Sequence, residues 1–528
     1  MARPIRLISG FLTVGVWTMA SRVLGFVRDI LIAAWLGSGP VAQAFFVAFA
    51  LPNMFRRFFA EGAFNMAFVP MFSKKLESGD APEAFARDAF AGLASLLILI
   101  TLIATIFMPW LVLAMASGFL GDARFDIAVT FGRIAFGYIF FISLAALLSG
   151  VLNAAGRFAA AAAAPVLLNI ILISALFLAE SGAVSTVTVS AALGETGAHH
   201  GTLITYGVLL AGLAQFVMLW IAAKRAGFDL RPKRPVWTPD LKRLLIIAAP
   251  AALAGGVVQF NLLVGRQVAS FFDGAIAWLN WADRLYQLPL GVVGIAIGVV
   301  LLPELSRRLS AEDTAGGRDA FNRAAEFSLA LCVPAAVALV VVPLPIVSVL
   351  YERGAFTADD AAATALATAI YALGLPAFVL QKVFQPLFFA REDTKRPFYY
   401  ALVAMVVNAA IAIGLAPGIG FVAAAIGTTV AGWAMLACLW IGARDMGDAA
   451  AFDDRFRRRI WRLVLAAFIM GLALWVLQFV LSPLLETAGW RYLGLLLLVA
   501  LGMATYALAG LRLGAFSVAE LKGAVRRG

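Results

Sequence analysis

At 528 residues the chain is several times longer than one soluble domain of about 100–200 residues, yet composition argues against a string of soluble domains. Residues of the AVILMFWYC set make up 63% and charged residues only 13%, against roughly 45–50% and about 25% in soluble proteins, and the mean hydropathy is +0.94. Lipid is therefore the expected solvent, which excludes a soluble enzyme, a secreted disulfide scaffold and a disordered chain. The net charge of +11 would suggest nucleic acid in a soluble protein; in a membrane protein such an excess sets orientation, so no nucleic-acid partner is expected.

Apolar stretches long enough to cross a hydrocarbon core of about 30 Å recur in chain order near 7–36, 40–72, 90–116, 127–154, 158–181, 202–223, 244–272, 275–305, 325–350, 361–390, 398–416, 418–443, 461–482 and 491–513. The first is too long for a signal peptide and is interrupted by Arg22 and Arg28, so it is expected to remain as a membrane helix. The fold class is thus an all-α polytopic membrane protein of about fourteen transmembrane helices. With both termini on one side, that side collects thirty of the 41 Lys and Arg residues, the opposite side three (Arg124, Arg353 and Arg491), and eight lie inside spans. One missed helix would scramble every later loop, so this bias supports the span count and places both termini in the cytoplasm.

An internal repeat organises the spans. Pro70-Met71-Phe72-Ser73-Lys74-Lys75-Leu76 matches Pro303-Glu304-Leu305-Ser306-Arg307-Arg308-Leu309 at a displacement of 233, and each copy is followed by Arg-Asp-Ala-Phe, at Arg87 to Phe90 and at Arg318 to Phe321. Six spans separate the copies, an even number, so the pseudo-symmetry axis runs along the membrane normal. The expected domains are an N-lobe of six helices over 1–226, a basic cytoplasmic linker over 227–243, a C-lobe of six helices over 244–443, and 444–528 with two further helices and a cytoplasmic tail.

The eight basic residues within spans are Arg22, Arg28, Arg56, Arg57, Arg133, Arg266, Arg284 and Lys382. Each costs about 2.5–3.5 kcal/mol near the bilayer centre on the insertion scale, so such residues face a wet cavity or a partner. Only Asp29, Glu61 and Asp283 are clear intramembrane acids, which leaves an excess of positive charge whose natural ligand is an anion. Asn53, Arg57 and Glu61 form an i, i+4, i+8 stripe with Arg56 beside it, after Pro52. Arg57 with Glu61, and Arg28 with Asp29, can equally be neutralised packing pairs, whereas Arg22, Arg56 and Arg284 have too few acids to go round. Arg133, Arg266 and Lys382 are expected to be structural. Seven of the eight bases are Arg, whose planar fork suits phosphate better than a simple carboxylate.

Other chemistry has little support. Cys332 and Cys438 sit in apolar runs without a CxxC pattern and are expected to be apolar fillers. His199 and His200 read as a solvated loop before the sixth span. No Walker motif, HExxH or paired catalytic carboxylate is present, so neither an ATP-driven pump nor an intramembrane protease is expected, and no metal or cofactor.

The segments Ser21-Arg22-Val23-Leu24-Gly25-Phe26-Val27-Arg28-Asp29, Ala44-Phe45-Phe46-Val47-Ala48-Phe49, Leu51-Pro52-Asn53, Arg56-Arg57 and Phe59-Ala60-Glu61-Gly62-Ala63-Phe64 closely resemble the MurJ/MviN lipid II flippase family. Ala282-Asp283-Arg284-Leu285, Leu302-Pro303 and Ala390-Arg391-Glu392-Asp393-Thr394 resemble its later motifs. The resemblance implies a member of the MOP exporter superfamily in the bacterial inner membrane. Its implied activity moves lipid II, undecaprenyl-pyrophosphate bearing the disaccharide-peptide unit of peptidoglycan, to the periplasmic leaflet by alternating access, without covalent chemistry. Substrate contacts are then expected at Arg22, Arg28, Asn53, Arg56, Arg57 and Arg284, with Asp29, Glu61 and Asp283 in a gating or cavity network. The last two helices would form a groove for the lipid tail. Expected partners are lipid II, membrane lipids and the cell-wall synthesis machinery.

Two departures stand out. The chain has Gln43 and Gln287 where members of the family commonly carry acids, and it keeps Asn408 and Thr428 but no acid at the positions of the sodium site of some relatives. The resemblance therefore implies drive by membrane potential rather than by sodium. The alternatives are a polysaccharide-lipid or drug exporter of the same superfamily and a membrane glycosyltransferase; the latter would need an acid or metal site on an external loop, and those loops are short.

Overall fold

The structure, a computed structural model, describes residues 5–56, 64–184, 197–231 and 233–516. Among these residues the regular elements are all helical, with no strand. In chain order they are α1 (Ile5–Leu36), α2 (Pro40–Arg56), α3 (Asn65–Ser78), α4 (Pro82–Ile106), α5 (Met108–Met115), α6 (Ala123–Phe136), α7 (Tyr138–Ala154), α8 (Ala159–Glu180), α9 (Ala198–Arg225) and α10 (Pro239–Ala269). There follow α11 (Ala275–Ser310), α12 (Thr314–Val341), α13 (Pro343–Tyr351), α14 (Ala358–Phe389), α15 (Lys395–Ile419), α16 (Val422–Ala443), α17 (Asp454–Val480), α18 (Ser482–Glu486) and α19 (Arg491–Arg512).

All fourteen expected apolar stretches contain helix, and among the described residues ten helical stretches are long and apolar enough to cross a membrane. Several helices start earlier than expected. α4 begins at Pro82 instead of near 90, α10 at Pro239 instead of near 244, and α12 at Thr314 instead of near 325. Hydropathy marks where a side chain leaves lipid, whereas a helix ends at its cap: Thr238 accepts from the Leu241 amide and Asp313 from the Gly316 amide. The third and ninth spans are each broken, at Phe107 before Met108-Pro109 and at Val342 before Pro343, because proline cannot donate to the preceding turn but fits the first turn of a new helix.

The chain divides into two compact units, Met1–Ala277 with Arg353–Phe356, and Trp278–Glu352 with Thr357–Gly528. In the first, α1 packs on α8, α8 on α9, α9 on α7, and α2 on α6. In the second, α15 packs on α16, α14 on both α16 and α12, and α17 on both α12 and α19. Met470, Leu474 and Leu498 form the seam of the last pair together with Val342, while Trp461, Trp475 and Phe479 of α17 stay exposed, as a lipid-facing surface requires.

Candidate substrate site

Three of the expected residues lie on α1. Arg28 and Asp29 are both buried, and Arg28 donates from Nε (3.0 Å) and Nη2 (2.6 Å) to the same Asp29 carboxylate oxygen. The remaining arm, Nη1, donates to Oδ1 of Asn169 on α8 at 2.9 Å. Asn169 in turn donates from Nδ2 to the Ser21 carbonyl (2.9 Å), the Ser21 hydroxyl (3.4 Å) and the Pro165 carbonyl (3.2 Å). Arg28 is thus neutralised, with each of its three nitrogens bonded, in this conformation. Arg22, two turns earlier, is half-buried and has no hydrogen-bond or ion-pair partner among the described residues.

On α2, Arg56 donates to Asn53 Oδ1 at 3.3 Å while Asn53 Nδ2 donates to the Phe49 carbonyl at 2.9 Å. Both are half-buried near the end of the helix, within the turn that follows Pro52. Arg57 and Glu61 lie outside the described residues.

The second unit holds the other expected pair. Asp283 and Arg284 are half-buried on α11, and Gln287 Nε2 donates to the Asp283 carboxylate from one turn on. That part of α11 is held by bulk: Trp281 is fully buried, and the Tyr286 ring lies 5.1 Å from Tyr371 and 5.7 Å from Phe378. Gln287 therefore accompanies Asp283 as a neutral donor.

Of the bases read as structural, Arg133 is exposed and reaches the Thr105 carbonyl at 3.4 Å, and Lys382 is exposed. Among the described residues no cluster of three His, Cys, Asp or Glu could hold a metal ion. Asn408 is buried with its amide oxygen directed at Gly427, where a Cβ would approach to 2.7 Å, and the Thr428 hydroxyl donates to its own helix at Ala424.

Three features escaped sequence reading. Asn169 carries no charge, and its one sequence signal is an amide in a largely apolar helix. Arg124, expected in an external loop, is buried beneath α2: it pairs with Asp122 (2.7 Å) and Asp273 (3.0 Å), covers the Phe119 ring and donates to Gln43 at 3.4 Å. Gln43 therefore sits in this clamp. His199 and His200 belong to the first turn of α9, not to a solvated loop: His200 stacks on Trp35 and contacts Glu180 at 3.1 Å.

The sequence profile of the family described as lipid II flippase MurJ matches residues 32–490. The chain belongs to the MurJ family. A probable lipid II flippase MurJ of Rhizobium tropici is 42% identical over 99% of this chain and 97% of its own. One from Rhizobium meliloti is 43% identical, again over 99% and 97%. Among solved structures, a lipid II flippase MurJ in an inward closed conformation superposes with a TM-score of 0.77 at 23% identity, covering 95% of this chain and 98% of that one. An inward-facing multidrug resistance MATE transporter of the MOP superfamily gives 0.64 at 15% identity, over 83% and 98%. The all-helical fold shared with these structures follows, and the exporter alternative is not favoured, since the near full-length sequence matches go to MurJ proteins. Like the rest of the MurJ family, the chain is a multi-pass membrane transporter and not an enzyme.

Proposed function

We propose that the chain carries lipid II from the cytoplasmic to the periplasmic leaflet of the bacterial inner membrane. The observation that carries this reading is an arginine, Arg22, with no partner among the described residues, in the apolar helices of a chain matched to the MurJ family over residues 32–490. A guanidinium fork pairs with pyrophosphate through parallel hydrogen bonds, and in a low-dielectric interior that charge has few competing ligands. The undecaprenyl tail stays in lipid while only the polar head crosses the protein.

In this scheme Arg22, Arg56 and Arg284 contact the diphosphate, with Asn53 and Arg57 beside them. Arg28 adds its charge when its pair with Asp29 opens, and Asp29, Glu61 and Asp283 balance the empty cavity. Lobes 1–226 and 244–443 rock against one another across the linker 227–243, with both termini cytoplasmic and 444–528 supplying the groove for the tail. Lipid II and the surrounding membrane lipids are the ligands, and the cell-wall synthesis machinery receives the product. Inward-negative potential returns the unloaded, positive cavity toward the cytoplasm at about 2.3 kcal/mol per charge per 100 mV.

The test is complementation of a strain depleted of its own flippase, with membrane levels checked and the leaflet holding lipid II assayed. Arg22→Ala, Arg56→Ala and Arg284→Ala should each fail, and Lys should rescue only in part. Full growth from all three Ala variants would remove the anion-cavity model. In proteoliposomes an imposed potential should alter flipping while exchange of sodium for potassium should not; strict sodium dependence would overturn the proposed drive.

A further inference from the structure

We propose that Asn169 is a positioning residue for transport: it commits Asp29 to Arg28 and so keeps Arg22 unpaired for the anionic head group. The inference rests on the assignment of Arg22 to the substrate site.

The geometry starts from the amide itself. With Oδ1 toward the guanidinium of Arg28 and Nδ2 toward the carbonyls of Ser21 and Pro165, every contact joins a donor to an acceptor; the flipped amide would set NH2 against guanidinium and oxygen against two carbonyls. Asn169 is buried, and it grips α1 at Ser21 and at Arg28, seven residues and about two turns apart on one face. Gly25 lies between these grips, where a Cβ would stand 3.6 Å from the amide. The brace therefore fixes the rotation of α1 against α8.

Charge follows from that rotation. Arg28 spends two of its arms on Asp29 and the third on Asn169. Without the amide, Nη1 would be a buried donor with no acceptor, and the guanidinium would have to turn to find one. Asp29 lies seven residues from Arg22 on the same face of α1, so a carboxylate released by Arg28 is placed to neutralise Arg22 instead. Holding Asp29 closed is what leaves Arg22 without a partner among the described residues.

The experiment is a double-mutant cycle in proteoliposomes with lipid II, using Asn169→Ala, Arg22→Ala and the double variant. Asn169→Ala should slow flipping about tenfold, as expected for one lost hydrogen bond to a charged group. The double variant should flip no more slowly than Arg22→Ala alone, because the amide acts through that arginine. Multiplied losses, as a general weakening of the fold would give, or a wild-type rate for Asn169→Ala, would overturn the proposal. Asn169→Ser is the second variant, since its hydroxyl can bond back to the Pro165 carbonyl yet cannot reach Arg28; it should show the same slowing. Failure of both Asn169 variants to accumulate would make the residue one of folding only and would equally overturn the proposal. A wild-type rate for Arg22→Ala would instead defeat the anion-cavity reading itself.

Discussion

The two copies of the internal repeat differ little in backbone and much in side-chain commitment. In the first, Lys75 pairs with Asp80 at 2.8 Å across the end of α3, the Asp80 amide returns to the Lys75 carbonyl, and Gly79 is left-handed at φ 70°. In the second, Arg308 pairs with Asp313 at 3.0 Å, the Asp313 amide returns to the Arg308 carbonyl, and Glu312 is left-handed at φ 56°. The arginines of the two Arg-Asp-Ala-Phe segments also act alike. Arg87 donates to the carbonyl of Asp229, where the chain leaves α9, and Arg318 to those of Ala451 and Phe452, beyond α16.

The difference lies in what the chain does next. After α9 it enters the basic linker, held by an ion pair of Lys233 with Asp88. After α16 it must dock an added helix, α17. There Asn322, fully buried, donates to the Arg318 and Ala451 carbonyls and accepts from the Asp453 amide. Glu326 gathers Arg323, Arg455 and Arg459 alongside. An anchor that serves one turn in the first copy is reinforced in the second because it carries a whole membrane helix.

The copies also correspond at the opposite helix ends, within the first unit. After α5 the amides of Ser117 and Gly118 donate to Gln267 of α10 and to Ser270, which caps that helix, and after α13 the Ala355 amide donates to the Ala34 carbonyl of α1 at 2.7 Å. Each docking requires a glycine, but for different reasons. Gly354 is left-handed at φ 58° and a Cβ there would come within 2.2 Å of the Ala34 oxygen; at Gly118 the Cβ would meet the Phe271 nitrogen at 2.5 Å with no left-handed strain.

The largest expected effect breaks this correspondence. Gly354→Ala should cost about 3 kcal/mol or more, from a left-handed penalty of about 1–2 and overpacking of about 1–3. Gly118→Ala should cost the overpacking alone. Thermal unfolding of the purified variants in detergent decides it, and equal losses would show that backbone handedness contributes nothing.

Next in size is Asn322→Ala, which strands buried carbonyls and the Asp453 amide and should cost about 2–3 kcal/mol. Because the loss falls where α17 docks, protease access to the segment between α16 and α17 should rise before the first unit loosens. Uniform loosening would contradict the special role given to the second copy.

The copies are legible because their signal is local: Pro70 to Leu76 and Pro303 to Leu309 recur at a displacement of 233. The spans were legible from apolar length, and their starts were not, since Thr238 and Asp313 cap helices that continue into water. At the site, the charged residues could be found because charge is rare among these apolar stretches. Their pairing could not be found, because Asn169 meets Arg28 across 141 residues of chain and Arg124 meets Asp273 through folding alone.

A smaller effect separates the paired arginines. Arg87→Ala loses one carbonyl contact and a half-exposed ion pair with Glu83 at 3.1 Å, which should amount to about 1 kcal/mol. Arg318→Ala loses two carbonyl contacts and should cost more. A reversal of that order, read from unfolding midpoints, would mean that the first anchor bears the greater load.

The last effect concerns the left-handed residues themselves and is one of sign rather than size. Gly79 has open space around its missing Cβ, so Gly79→Ala tests backbone strain with no clash and should destabilise by about 1–2 kcal/mol. Glu312 already bears that strain, and Glu312→Gly relieves it while adding unfolded-chain entropy of about 0.5–1 kcal/mol. The second change should therefore be nearly neutral or stabilise slightly, opposite in sign to the first although both positions have the same backbone. If Glu312→Gly instead destabilises as much as Gly79→Ala, the Glu312 side chain contributes contacts that outweigh its strain, and the two turns are equivalent in shape but not in energetics.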